Sequence, residues 1–170
     1  YAISQTNTFT IDVSPAATTT TLNLGNPEVQ APNTDILFTG TVNYAPSTQI
    51  PAGTINIQRQ AIAGGAWTTF ATASVDSAAE FSSTGQISAL GDYNIRAVFV
   101  TMDSKKFSGS TSNTVLQEIG YIPTINLSPF PDPVERGDLV TFTAIVNYSV
   151  ASGIPTGTVS FQTVDGLTTI

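Results

Sequence analysis

Ile36-Leu37-Phe38-Thr39-Gly40-Thr41-Val42-Asn43-Tyr44 is the stretch that decides how this chain folds. Apolar and polar residues alternate along it. Ile36, Phe38, Gly40, Val42 and Tyr44 fall on one face, and Leu37, Thr39, Thr41 and Asn43 on the other. That period of two is the mark of a strand with one buried face. A second copy stands 104 residues downstream, where Val140, Phe142, Ala144, Val146 and Tyr148 repeat the apolar face. Both copies end in Val-Asn-Tyr. Both lead into a matching start of a further strand, Pro51-Ala52-Gly53-Thr54-Ile55 in the first and Pro155-Thr156-Gly157-Thr158-Val159 in the second. The small residue in the middle of each strand (Gly40, Ala144) predicts a bulky side chain facing it across the core. A repeat of about a hundred residues means tandem domains, because solenoid units are shorter.

Working outward, alternation and turn signals predict strands at Thr20 to Leu24, Asp35 to Tyr44, Gly53 to Gln58, Trp67 to Val75, Ala79 to Ser88, Tyr93 to Val100 and Ser112 to Ile119. Gly64-Gly65, Leu90-Gly91-Asp92 and Asp103-Ser104-Lys105-Lys106 punctuate them. About seven strands in about 105 residues, with turns at regular spacing, is the pattern of an antiparallel β-sandwich. The opening Tyr1-Ala2-Ile3-Ser4-Gln5-Thr6-Asn7-Thr8-Phe9 is similar to Phe107-Ser108-Gly109-Ser110-Thr111-Ser112-Asn113-Thr114-Val115. The expected organisation is therefore the terminal strand of a preceding module at 1–17, a complete module at 18–122 and the first half of a following module at 123–170.

Composition agrees with an all-β chain. Charged residues make up only 10% of it, well under the usual quarter, so Thr, Ser, Asn and Gln carry the surface. Few Lys or Glu remain for helical faces. The net charge is −7 with five Lys and Arg in all, which leaves no basic stripe for a nucleic acid and no attraction to an anionic membrane. No run of 18 apolar residues is present to span a bilayer, and Tyr1-Ala2-Ile3-Ser4 does not read as a signal peptide. With no Cys and no His, thiol chemistry, histidine bases and the usual zinc ligands are excluded.

Three motifs in order carry a resemblance. They are Pro-x-Gly-Thr-Val/Ile at a strand start, Leu90-x-x-Tyr93-x-Ile95-x-Ala97-x-Phe99, and Phe107-Ser108-Gly109-Ser110-Thr111-Ser112. As an ordered set they resemble the bacterial Ig-like repeats of large surface proteins. The resemblance implies tandem Ig-like β-sandwich modules, an extracellular or cell-surface location, and a role in a stalk, adhesin or filament without catalysis. It implies neighbouring Ig-like modules in cis or in trans as partners, with a glycan or a host surface protein as the alternative, and no cofactor. Fold analogy by itself names no ligand. Tyr93 stands two residues before Ile95, the spacing of a tyrosine corner, so its hydroxyl is expected to bond backbone near the preceding turn. Ile95 occupies the place of a disulfide cysteine, so packing alone closes this core.

Candidate sites are few. Asp132, Glu135 and Asp138, with Glu118 nearby, suggest calcium at a module junction, against a plain solvated turn with Arg136 as partner. The matching segment of the first copy carries only Glu28 and Asp35. Asp76 with Glu80, and Asp92 with Asp103, are the carboxylate pairs a glycosidase would need, but each lies in turn-like sequence. Trp67, the single Trp, either stacks on a sugar or packs in the core or at a sheet rim. The loops Gln60 to Trp67 and Pro46 to Pro51 are the candidate binding loops. Lys105 and Lys106 sit in a polar turn, which argues against an internal isopeptide bond. Asn126 and Asn147 match the glycosylation acceptor pattern and are expected to point outward. No catalytic, cofactor or metal residue is assigned.

A half-module exposes both its core face and its strand edges. Isolated 18–122 should therefore unfold in one cooperative transition, whereas 123–170 should show none. Thermal melts monitored by circular dichroism check both, and a cooperative melt of the shorter piece would overturn the division.

Overall fold

The computed structural model describes residues 9–25, 29–45, 49–128, 135–148 and 154–162. All regular structure among them is β. The strands are β1 (Thr18–Thr20), β2 (Asn23–Leu24), β3 (Val29–Gln30), β4 (Ile36–Tyr44), β5 (Gly53–Ala61), β6 (Thr68–Ser74), β7 (Glu80–Gly85), β8 (Gly91–Thr101), β9 (Ser110–Thr111), β10 (Val115–Ile119), β11 (Thr124–Leu127) and β12 (Ala144–Asn147). The alternating stretch Ile36 to Tyr44 is β4, nine residues without a break.

Three sheets result. In the first, β1, β2 and β7 all pair antiparallel with β4. The second runs β3-β10-β8-β5-β6, with β9 also on β8. Its pairings are antiparallel apart from β10 with β3, which is parallel. β3 is a two-residue edge strand that alternation in so short a segment could not reveal. The third sheet is the ribbon β11-β12.

The first two sheets share one core. Leu22, Ile36, Phe38, Val42 and Phe81 from the first pack with Ile55, Ile57, Ile95, Ala97, Phe99 and Ile119 from the second, and Ile87 joins them. These are the alternate residues of each strand, so the sequence period fixes which side chains go inward. Phe70 closes edge-on against Phe38, with ring centroids 5.5 Å apart. The bulky side chain beside Gly40 comes from the adjacent strand of the same sheet and not from across the core: it is Phe81, its ladder partner in β7. A Cβ there would collide with the Phe81 ring and with the carbonyl oxygen of Thr21.

That close approach also splits the first predicted strand. Thr21 N–H donates to the Thr41 carbonyl at 2.9 Å, but Thr41 N–H turns to the Thr21 hydroxyl at 3.1 Å. The backbone of Leu22 is thereby left off the ladder. The Asn113 side chain serves it instead: Leu22 N–H donates to Asn113 Oδ1 at 3.0 Å, and Asn113 Nδ2 donates to the Leu22 carbonyl at 3.1 Å. An amide side chain thus stands in for a strand partner where β1 gives way to β2, and it ties the first sheet to the segment between β9 and β10.

β12 is shorter than its sequence copy. Ile36 to Thr41 of β4 is held by β7, and the residues of the second copy that match Ile36 to Thr39, Val140 to Thr143, are not in a strand. Among the described residues nothing takes the place of β7 beside them. Ladder bonds, and not the alternation alone, set the strand's length.

Gly40→Ala forces either Phe81 or the Thr21 carbonyl to move. It should lower the stability of 18–122 by about 1–3 kcal/mol, an overpacking cost. Urea unfolding checks this, and an unchanged midpoint would show that the backbone yields freely at Gly40.

Candidate functional site

The strongest cluster of polar recognition groups lies on the outer face of the second sheet. Register builds it: Gln58 lies opposite Arg96, Gln60 opposite Asn94 and Asn56 opposite Val98. Because Ile95 and Ala97 are buried, Asn94, Arg96 and Val98 point away from the core. The turn before β6 brings Trp67 alongside. Gly64 (φ 107°) and Gly65 (φ 113°) take backbone angles that L side chains disfavour, and Gln60 Nε2 donates to the Gly65 carbonyl at 2.6 Å. The Arg96 guanidinium then lies over the Trp67 ring, 4.0 Å from its centroid. Arg96 Nε donates to Gln58 Oε1 at 3.0 Å, and Gln58 Nε2 donates to Thr69 Oγ1 at 3.3 Å. Trp67 is half-buried at the sheet rim, one of the two places its sequence position predicts.

The second arginine of this sheet, Arg59, is held in a similar way. Its guanidinium carbon is 5.5 Å from the Phe70 centroid and 5.7 Å from that of Tyr93. Tyr93 forms the corner its spacing predicts, with its hydroxyl donating to the Ala89 carbonyl at 3.1 Å.

The Phe107 to Ser112 motif acts in packing. The Phe107 ring meets Tyr44 edge-on at 5.0 Å. Ser108 N–H donates to the Ala16 carbonyl at 2.9 Å, and Thr18 Oγ1 donates to the Ser108 carbonyl and is hydrogen-bonded with the Ser110 hydroxyl, both at 2.8 Å. The Ser112 hydroxyl accepts from Ala97 N–H at 2.9 Å. Its run of small hydroxyl residues lets β1 approach closely while satisfying backbone groups at the sheet edge.

The carboxylates divide into turn-formers and isolated groups. Asp76 Oδ1 accepts from Ala78 N–H and Glu80 N–H, at 2.8 and 2.9 Å, and so organises its own turn. Asp92 and Asp103 flank opposite ends of β8, roughly 35 Å apart at the rise of a strand, far beyond the spacing of paired carboxylates in glycoside hydrolysis. Asp103 accepts from Lys105 N–H at 3.1 Å and pairs with Lys106 at 3.8 Å. Both lysines lie in the polar turn where the sequence puts them. Glu135 N–H donates to Asp138 Oδ2 at 3.1 Å, while Arg136 has no ion pair with a described residue. Asp132, Glu28 and Pro46 lie outside the described residues. Among those described, no three His, Cys, Asp or Glu side chains converge. Asn126 and Asn147 are both exposed, on one face of the β11-β12 ribbon.

The opposite face of that ribbon is apolar and open. Residues 154–162 cross it, leaving two grooves of ≈ 300 and ≈ 230 Å³ lined in part by Ile125, Leu127, Val146, Val159 and Phe161. The matching residues of the first copy, Val42, Ile55 and Ile57, are fully buried. Here Val159 keeps 40% exposure and Val146 and Phe161 are half-buried, while Ile125 and Leu127 on the same face keep 57% and 54%. A second apolar stripe, Phe9, Ile11 and Val13, is more than 80% exposed at each position. No helix among the described residues is long and apolar enough to cross a membrane.

No protein-family model matches this chain, and no curated protein matches it significantly by sequence.

Alternation and motif spacing predict the positions of Tyr93 and Trp67. They miss Arg96 and Gln58, which carry no motif and meet only through strand register. Tyr93→Phe removes the corner hydrogen bond and should cost about 0.5–1.5 kcal/mol. A urea midpoint equal to wild type would mean that the ring, and not its hydroxyl, holds the corner.

Proposed function

We propose that this chain is a structural segment of an extracellular or cell-surface array, built from tandem Ig-like β-sandwich modules and lacking catalytic activity. The observation that carries the reading is the open ribbon face. The alternating residues that are fully buried in the first copy are half-buried in the second (Val140, Phe142, Val146, Phe161) or exposed (Val159). A repeated unit whose apolar face lies bare needs further strands to cover it. The pairing pattern also supports an Ig-like module. One sheet has β1/β2, β4 and β7; the other has β10, β8, β5 and β6, with β3 entering parallel to β10. Turn-bound carboxylates and arginines held on aromatic rings suit a scaffold better than an active site.

A filament assembled by strand exchange between neighbouring subunits is the second reading, favoured by the exposed stripe Phe9, Ile11 and Val13. In the alignment that matches Phe9 to Val115, these three residues correspond to Val115, Gln117 and Ile119 of β10, which face the core. A strand that presents such a face can complete a sandwich elsewhere.

Electron microscopy of the protein on its source cells should show thin fibres beaded at about 40 Å, the length of one module's strands. A compact particle would overturn the array. The denatured intact mass separates the two readings. A value near 17.7 kDa goes with exchange between subunits, and a value several times larger goes with tandem modules on one chain.

A further inference from the structure

We propose that the Trp67–Arg96–Gln58 cluster on the outer face of the second sheet is a binding site for a carboxylate-bearing sugar, such as a uronic-acid residue of an acidic polysaccharide. Sequence alone makes Trp67 a candidate for stacking on a sugar ring. The structure gives that ring a different task, because the guanidinium of Arg96 lies 4.0 Å from its centroid. Recognition therefore passes from ring stacking to the arginine.

Three observations define what the site accepts. First, the guanidinium is held in place. Trp67 supports its plane and Gln58 Oε1 takes its Nε–H at 3.0 Å, so a rigid fork of further N–H donors remains. Such a fork matches the two oxygens of a carboxylate. Second, it lacks a charge partner. The chain carries −7 overall, yet no carboxylate among the described residues pairs with Arg96. The nearest acids on its own face, Asp92 and Glu118, lie opposite each other four residues along β8, about 13 Å away at the rise of a strand. Third, most of its neighbours on this face are neutral hydrogen-bonding groups, with Val98 and Leu116 at the margin. Gln58, Gln60, Asn56 and Asn94 lie on two adjacent strands, with Thr69 on the next. Amides both donate and accept, and hydroxyls do the same, as the hydroxyl groups of a sugar require. A flat lattice of such groups around one fixed cation fits an acidic saccharide better than an apolar peptide. In this scheme Arg96 binds the ligand and Trp67 is a positioning residue.

The test uses the full 170-residue chain and follows the Arg96 Nε–H and Trp67 Nε1–H signals by NMR. The probes are trigalacturonate, its methyl ester and a pentaglutamate peptide. Trigalacturonate should shift both signals. Its methyl ester, which keeps the ring hydroxyls but loses the charge, should bind at least about tenfold more weakly, as should Arg96→Gln towards the free acid. Trp67→Phe should keep most of the affinity and Trp67→Ala lose most of it, with thermal melts showing that each variant folds. Absent binding, equal binding of the methyl ester, or undiminished binding by Arg96→Gln would overturn the site. Pentaglutamate binding as tightly as trigalacturonate would overturn the sugar as its ligand.

Discussion

Everything in the first ten strands depends on β4 and β5 lying in different sheets and burying their alternate residues against each other. Phe38 and Val42 from one meet Ile55 and Ile57 from the other, together with Ile95 and Phe99 of β8. With no cysteine in the chain, no covalent tie joins the layers. Apolar burial has to supply the cohesion, at about 25 cal/mol per Å². Gly40 and Gly53 show how close the fit is. A Cβ at Gly40 would strike Phe81, and one at Gly53 would strike Phe99 and the Val100 carbonyl.

Two sheets in contact still need their edges satisfied, and here side chains act as substitute strands. Asn113 bonds both backbone groups of Leu22, and the Ser108 to Ser112 segment bonds Ala16, Thr18 and Ala97. Except for Ala97 and Ser112, the residues joined this way stand some ninety positions apart. The same demand explains the shortness of β12, for which no described residue supplies the neighbour that β7 gives to β4.

The outer face follows a different logic. Its residues are not needed to fill the core, so their chemistry is free to vary. Arg96 and Arg59 are both laid on aromatic rings in a chain with only five cationic side chains. An arginine held on a ring and bonded through Nε gives up side-chain freedom before any ligand arrives, which lowers the entropic cost of binding.

Much of this was legible in the sequence. Alternation alone predicts β4, β5 and β8, and which of their residues go inward, because a strand's side chains have a period of two wherever it lies. The spacing of Tyr93 and Ile95 predicts the corner, a local contact made within four residues. Glycine pairs and polar turns mark where the chain turns, but the ends of β5 and β7 and the start of β10 each lie three residues from where the sequence puts them. What sequence could not supply is the pairing of distant strands. Trp67 and Arg96 are 29 positions apart, and only the register that sets Gln58 opposite Arg96 turns them into one cluster. The two-residue β3 and the amide clamp at Leu22 are likewise invisible, since each exists only through a partner far along the chain. Local sequence determined the strands and their inner faces; tertiary register decided which outer side chains meet, because a side chain's neighbours across a sheet belong to other strands.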